Sequence, residues 1–490
     1  MSPSSRTRRL SAGLAVAALA FAGAGSVTAA HAVPLSPSAS AGSAAEPGIL
    51  MNYVVNTKPV PIHVDRAEAA IKAAGGTVVQ SYDDLGVVIA QSTSTTFRTD
   101  VKLGKNGKSV QSVGATRTAA VKEGPVGSAK TASTGLQADA AKGLSAVEAE
   151  PVLDPRENEQ WDMVQIKADQ AHKVTDGSKK VLVGINDSGV DDLHPDLAPN
   201  FSAADSVNCA SNGVPDTAAG AWRPTTSSHG THVAGTVAAA RNGVGIVGVA
   251  PGVRIASVKV VNDDGYIFPE YAICGFVWAA EHKMDVTNHS YFIDPWEFWC
   301  NDNADQGAVQ ESVRRAVAFA TKKGVLSVAA AGNSNYDLAN KTTDTASPND
   351  STPVTRTINN DCLDMPTELP GVITVASTTR TQARSGFSNF GLNKIDVAAP
   401  GSSILSTLPN NRYGLSSGTS MASPHVAGVA ALLKSSRPWL KPAEMEKVLR
   451  GEADDQACPA TPDPRCTGTT ENNAFFGEGL VDALDAIKRW

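Results

Sequence analysis

Ser420 lies in GLSSGTSMASPHVAGVAALLK, residues 414–434, where a loop rich in glycine and hydroxyl residues runs into an alanine-rich helical pattern. A serine at a helix start often serves only to cap orphan N–H groups, and proline is welcome in the first turn. The same position has a second use. The field at a helix N-terminus is positive and free N–H donors stand beside it. Those conditions suit an alkoxide-like attacker with an oxyanion next to it. A serine hydroxyl is a weak nucleophile alone, so this use requires a base and an acid that orients the base.

His229, in SSHGTHVAGTVAAA, opens a helix built from Gly, Ala, Val and Thr, and so little bulk predicts burial among close neighbours. His232, three residues on, raises a zinc alternative. The metalloprotease pattern needs two histidines at i, i+4 with a glutamate between, and here the spacing is i, i+3 without the glutamate. His229 is therefore read as the base. Asp187 ends the apolar run VLVGIND and is followed by a hydroxyl and a glycine. Such an aspartate can shape a turn, or it can fix a histidine tautomer and stabilise the imidazolium. Asn333, ending VLSVAAAGN, is a neutral donor in a similar place.

These residues need rigid elements behind them. The runs VLVGIND, RIASVKVV, MDVTNHS, VLSVAAAGN, GVITVAS and KIDVAAPG alternate with helical stretches such as PEYAICGFVWAAEHK and AVQESVRRAVAFATKKG. That alternation, from about Trp161 onward, predicts an α/β fold: a mostly parallel sheet with helices on both faces. In such sheets sites form beyond the carboxyl ends of the strands, where Asp187 and Asn333 fall. Ahead of it, ILMNYVVNT reads as a strand, VDRAEAAIKAAGG as a helix and TVVQSYDDLGVVIAQS as a hairpin. A weaker helix and a strand near VQSVGATR follow. The order β-α-β-β-α-β predicts a small ferredoxin-like α+β domain over about residues 49–120.

The N-terminus carries Arg6, Arg8 and Arg9, then the apolar run SAGLAVAALAFAGAG and the small-x-small triplet AHA at 30–32. This predicts an export signal over residues 1–32, too short and glycine-interrupted for a membrane anchor. Residues 33–47 read as a linker, and 121–155 as a processed or flexible one. The chain has 490 residues, 42% hydrophobic and 19% charged, with a net charge of −7. That suits two or three globular domains and gives no general case for nucleic-acid binding. Six cysteines, all beyond residue 200, predict disulfides in an exported chain.

The motifs DSGVDDLHPDL, HGTHVAGTVAA, AAAGN and GTSMASPHVAG, in that order, resemble those of the subtilisin-like serine peptidases. The resemblance covers about residues 157–490, and residues 49–120 are similar to the family's inhibitor-type propeptide. It implies Ser420 as nucleophile, His229 as general base and then acid, and Asp187 as the residue that orients His229. The Asn333 side chain and the Ser420 N–H would hold the oxyanion. Substrate backbone would pair with the stretches Gly265, Tyr266, Ile267 and Ser290, Tyr291, Phe292, beside Ala330, Ala331 and Gly332. A structural calcium is implied at Asp196 and Asn242, with carbonyls of Ala240, Val244 and Ile246 and a residue near Glu157. No cofactor is implied for catalysis.

The expected protein is a secreted serine endopeptidase made as a zymogen: signal 1–32, propeptide 33–120, linker 121–155 and peptidase domain 156–490. Its partners would be protein or peptide substrates and its own propeptide, as intramolecular chaperone and inhibitor. It would be monomeric, with no membrane after signal removal. Two other readings are a catalytically silent binding protein that keeps the fold, and an esterase using the same triad. The chain departs from the family where NHSYFIDPWEFWC replaces an Asn-x-Ser-Leu-Gly-Gly stretch, so Tyr291 and Phe292 stand for the Leu-Gly pair. The aromatic insertion that follows reads either as a packed cluster under a stapled loop or as a lid over substrate. It ends at Cys300, and a second insertion holds Cys362, so one bridge between them would tie both loops to the pocket rim. Proximity pairs Cys458 with Cys466, which leaves Cys209 for Cys274.

Overall fold

A computed structural model describes residues 48–123 and 153–488. The expected signal, the 33–47 linker and most of the 121–155 linker lie outside the described residues. The small domain is built from β1 (Met51–Asn56), α1 (Pro61–Ala73), β2 (Thr77–Tyr82), β3 (Val87–Ser92) and β4 (Ser112–Ala115). Its strands form an antiparallel sheet in the order β2-β3-β1-β4. Proline opens α1, where its missing N–H is harmless. The weaker helix resolves into two single turns, Phe97–Asp100 and Gly104–Gly107, since two glycines in four residues are poor helix formers. Tyr53, Val55, Val64, Ile71 and Phe97 fill the core between α1 and the sheet.

The larger part is a seven-stranded parallel sheet that includes β5 (Leu182–Asp187). On one side lie β7 (Arg254–Lys259) and the short β6 (Val207–Asn208). On the other lie β8 (Val286–His289), β9 (Leu326–Ala330), β10 (Val372–Thr378) and β11 (Val397–Pro400). The alternation of side chains along each strand divides the core into two layers. Val183 and Ile185 pack with α2 (His229–Ala238) and α5 (Thr419–Ser436). Leu182, Ala256 and Val258 face the other way, toward α3 (Pro269–Glu281) and α4 (Ala304–Lys323). The order reverses at β5, and the two strands beside it run off to opposite sides. A crevice at the carboxyl end of the sheet follows from that reversal.

Cysteines pair as Cys209–Cys274, Cys300–Cys362 and Cys458–Cys466. The middle bridge joins the aromatic insertion to the second insertion, and the two segments also pair as strands. Most of the insertion is packing: Ile293, Phe298 and Trp299 are fully buried. No helix among the described residues is long and apolar enough to cross a membrane.

The small domain rests on the first turns of α3 and α4. Arg117 pairs with the fully buried Glu270 of α3 and with Glu123, and its guanidinium stacks 3.7 Å from the Phe268 ring centre. Asn52 Nδ2 donates to the same Glu270 at 2.6 Å. At α4, Asp305 accepts from Arg98 Nε at 2.6 Å and from the Ala115 N–H at 3.3 Å. Acids in a first helical turn are favoured by the dipole, and here they also meet the small domain's donors. Arg117→Ala is expected to weaken docking by about 3–5 kcal/mol, because Glu270 stays buried without its cation. Hydrogen exchange in an uncleaved chain checks this: protection of β1 and β3 amides should fall relative to β5, and equal protection would refute it.

Candidate active site

Asp187 ends β5 and is 1% exposed. His229 opens α2, and its Nδ1 lies 2.9 Å and 3.0 Å from the two Asp187 oxygens. This approach depends on Gly230. A Cβ there would stand 2.5 Å from the Gly189 carbonyl oxygen and 3.1 Å from Asp187 Cβ. The Gly230 N–H donates to Ser188 Oγ at 3.0 Å, and the Ser188 N–H donates to Asp187 Oδ1 at 2.6 Å. Strand end, turn and helix start thus form one hydrogen-bonded unit. Burial works against the imidazolium, while the Asp187 charge and hydrogen bond favour it. The carboxylate prevails, and the His229 pKa lies above its ordinary value.

Ser420 is the second residue of α5, so its N–H is among those a helix cannot satisfy internally. Pro424, four residues on, has no N–H to give to the Ser420 carbonyl. Ser290 Oγ donates there instead, at 2.9 Å, while Ser420 Oγ donates to the Ser290 carbonyl at 3.3 Å. Asn288 Nδ2 donates to Ser290 Oγ at 2.8 Å and its Oδ1 accepts from Ser423 Oγ at 2.7 Å. The end of β8 is thereby fixed to the first turns of α5. Asn333 Oδ1 accepts from the Thr419 N–H at 2.8 Å and from Thr419 Oγ1 at 2.9 Å. A backbone N–H can only donate, so it sets the amide orientation and leaves Nδ2 on the opposite side.

A cavity of about 360 Å³ adjoins Ser420 and Asn333. Gly265, Ile267, Ser290, Tyr291, Phe292, Ala330 and Gly332 line it, as seven of the nine expected substrate residues. Tyr266 and Ala331 do not. The Tyr266 hydroxyl donates to the Asn349 carbonyl at 3.1 Å, and Ala331 is fully buried. Asp294, Glu297, Asn349 and Asp364 line the cavity as well, and sequence reasoning missed all four. Asp294 and Glu297 stand inside the aromatic insertion, and Asp364 two residues after Cys362. Acids flanking the bridged cysteines were the available signal.

His232 is buried, and its Nε2 lies 3.1 Å from the Ile404 carbonyl and 3.2 Å from that of Gly414. It anchors the hairpin of β12 (Ile404–Leu408) and β13 (Arg412–Ser416), which feeds the Ser420 loop. Burial pushes its pKa down to about 4. Among the described residues no group of three or more His, Cys, Asp or Glu could hold a metal.

The loop expected to bind calcium is closed from within. Asp196 Oδ2 accepts from the Ile246 N–H at 3.0 Å and the Tyr413 hydroxyl at 2.9 Å. Asn242 Oδ1 accepts from the Val244 N–H at 3.1 Å, and the Ala240 N–H donates to the Asp196 carbonyl at 2.7 Å. Glu157 pairs with Arg241 at 2.8 Å, and Arg241 also reaches Asp176 at 3.3 Å. The loop therefore carries its own cation. Asp196 Oδ1 has no hydrogen-bond partner, and among the described residues no N–H donates to the carbonyls of Ala240, Val244 or Ile246, where calcium takes six to eight oxygens.

The subtilase family model matches residues 178–479. The chain belongs to the subtilase family. It is 34% identical to subtilisin NAT of Bacillus subtilis subsp. natto over 325 residues, covering 66% of this chain and 70% of that one. It is similar in structure to fervidolysin from Fervidobacterium pennivorans, described as a keratinolytic enzyme related to subtilisin. That match has a TM-score of 0.63 at 25% identity, over 90% of this chain and 61% of the other. The epidermin leader peptide processing protease of Staphylococcus aureus shares the fold, with a TM-score of 0.64 at 22% identity over 90% of this chain and 98% of that one. As a subtilase, the chain is a serine endopeptidase, a hydrolase of peptide bonds.

If His229 is the general base that the resemblance implies, it must be neutral to accept a proton, and kcat/KM should rise with pH through a pKa above the ordinary imidazole value. Asp187→Asn removes the charge that raises this pKa. The acid limb should then move down in pH, and kcat should fall by about 10⁴. An unmoved limb in the variant would contradict the assignment.

Proposed function

We propose that this subtilase is a secreted zymogen whose peptide hydrolysis runs through Asp187, His229 and Ser420. The reading is supported by the Asp187–His229 hydrogen bond and by the cavity that Ser420 and Asn333 line. Ser420 Oγ turns from the Ser290 carbonyl to His229 Nε2 and attacks the scissile carbonyl, passing its proton to that nitrogen. Asn333 Nδ2 and the Ser420 N–H receive the oxyanion. His229 then protonates the leaving amine, the C–N bond breaks, and an acyl ester on Ser420 remains. Water activated by His229 hydrolyses it. Asp187 holds the Nδ1–H tautomer throughout.

The small domain is read as an inhibitory propeptide. Its C-terminal stretch supports this by running past the cavity rim. The Thr118 and Ala119 N–H groups donate to Asp350 at 2.7 Å and 3.0 Å, next to cavity-lining Asn349. Lys122 pairs with Asp264 at 2.9 Å, beside cavity-lining Gly265. Processing within the segment that follows would release the domain. Three disulfides fit an oxidising compartment, which supports export. The Asp196 loop is proposed to hold without calcium, through Arg241 and its own N–H donors.

Ser420→Ala is expected to abolish turnover, by several powers of ten, and to leave the chain unprocessed in a protease-free host. A fluorophosphonate should label Ser420 in the processed wild type. Full maturation of the variant, or no labelling of the wild type, would favour the silent binding protein; labelling with ester but no peptide cleavage would favour the esterase. Chelation by EDTA should leave the thermal midpoint of the processed enzyme unchanged, and a drop reversed by added calcium would restore the metal site.

A further inference from the structure

The cavity beside Ser420 is lined by acidic groups that acyl transfer does not use. Asp294, Glu297 and Asp364 line it, and no lysine, arginine or histidine does. Two of the three acids have neighbours that account for them. Asp294 accepts from the Ile267 N–H and from Asn349 Nδ2, both at 2.5 Å, and so ties the Gly265–Ile267 edge to Asn349. Glu297 accepts from Ser334 Oγ at 2.7 Å.

Asp364 is different. It is 2% exposed, and its Oδ1 has no hydrogen-bond partner among the described residues. The nearest cations are engaged elsewhere: Lys341 and Lys394 pair with Glu368 at 2.8 Å and 3.0 Å. Glu368 stands behind Asp364, accepting its N–H at 2.9 Å, and adds a like charge. Burial, then Glu368 and Glu297, hold the Asp364 carboxyl well above the usual carboxylate range, with Lys341 opposing. Gly332, the residue before Asn333, keeps the way to it open. A Cβ there would stand 3.5 Å from Asp364 Oδ2 and 2.3 Å from Asn389 Nδ2.

A buried carboxyl with an unpaired oxygen is unfavourable until something completes it. The head group of a lysine or arginine would do so, with its aliphatic stem against Ile267, Phe292 and Ala330. We propose that this cavity takes the side chain of the residue whose carbonyl Ser420 attacks, and that lysine or arginine is selected there because Asp364 receives its cation. The inference rests on Ser420 as the nucleophile. The enzyme is then a peptidase that cuts after basic residues, and Asp364 is its specificity-determining residue.

The test uses the processed enzyme and peptides that differ only at the residue before the cut: lysine, arginine, methionine, leucine, phenylalanine and glutamine. Methionine approximates the unbranched stem of lysine without its terminal ammonium. Lysine and arginine are expected to exceed methionine in kcat/KM by about a hundredfold, the size that an unpaired buried charge produces. Asp364→Asn should bring the lysine-to-methionine ratio toward one. In the wild type, benzamidine should inhibit competitively where neutral benzamide does not, a readout that requires no variant to fold. Labelling of Ser420 by a fluorophosphonate together with a preference for methionine, leucine, phenylalanine or glutamine would overturn the proposal and leave the catalytic reading intact. Absence of labelling would overturn both. Loss of the basic preference in Glu297→Gln but not in Asp364→Asn would overturn the assignment to Asp364.

Discussion

Asp187 is a carboxylate held almost wholly out of water, and the site is arranged around that charge. A buried charge survives only where donors meet it. Here the donors are the Ser188 N–H and His229 Nδ1, both brought in by one short turn and one helix start. The helix can approach so closely only because its second residue is a glycine. The same requirement spreads outward through α2. Thr407 Oγ1 donates to the Thr231 carbonyl and Ser406 Oγ to that of His232, each at 2.7 Å. The hairpin that delivers Ser420 is thus fastened to the helix that delivers His229. The small residues of both helices are a consequence of holding two segments against one buried charge.

The second organising device is substitution for missing helical hydrogen bonds. Pro424 would leave the Ser420 carbonyl without a donor, and Ser290 supplies one. Thr419 stands at a helix start whose N–H groups lack acceptors, and Asn333 supplies one. Each repair joins α5 to a different strand end, β8 or β9. The defects of one helix terminus are therefore what register Ser420 against its neighbours. At α3 and α4 the first turns are met by the small domain, through Glu270 and Asp305. The two faces of the sheet thus present helix N-termini to different partners.

Sequence carried much of this. Asp187, His229, Asn333 and Ser420 each sit in a contiguous motif whose local form, a strand end or a helix start, can be read from neighbours. The apolar runs gave the parallel sheet, because strands buried on both faces are apolar without alternation. The small domain's succession of elements was legible in its pattern, apart from the second helix, which glycine broke into turns. What was illegible depends on tertiary closure. Glu157 and Arg241 are 84 residues apart, and only their ion pair shows that the Asp196 loop has a cation already. Tyr413 reaches Asp196 across 217 residues. Asp364 lies in an insertion without periodicity, where nothing local distinguishes it from the exposed Asp361.

The two insertions, which read as separate departures from the family pattern, are one structural unit. Cys300 and Cys362 are bonded, and the residues beside them pair as strands. Asp294 and Glu297 precede the bridge and Asp364 follows it, so all three cavity acids come from the segments that it clamps. Arg356 stands over the Trp296 ring at 4.5 Å and pairs with Asp344 at 2.6 Å, and its guanidinium also reaches the Phe298 carbonyl. Its contacts with Trp296 and Phe298 thus add a cation–π and a hydrogen-bond link between the insertions to the covalent bridge. The aromatic residues therefore serve two ends at once. Phe298 and Trp299 anchor the unit in the core, and Phe292 forms part of the cavity wall. An acidic cavity floor could not be built on a mobile loop, because a buried carboxylate must be held in place against its tendency to reach water. The bridge and its aromatic footing provide that restraint.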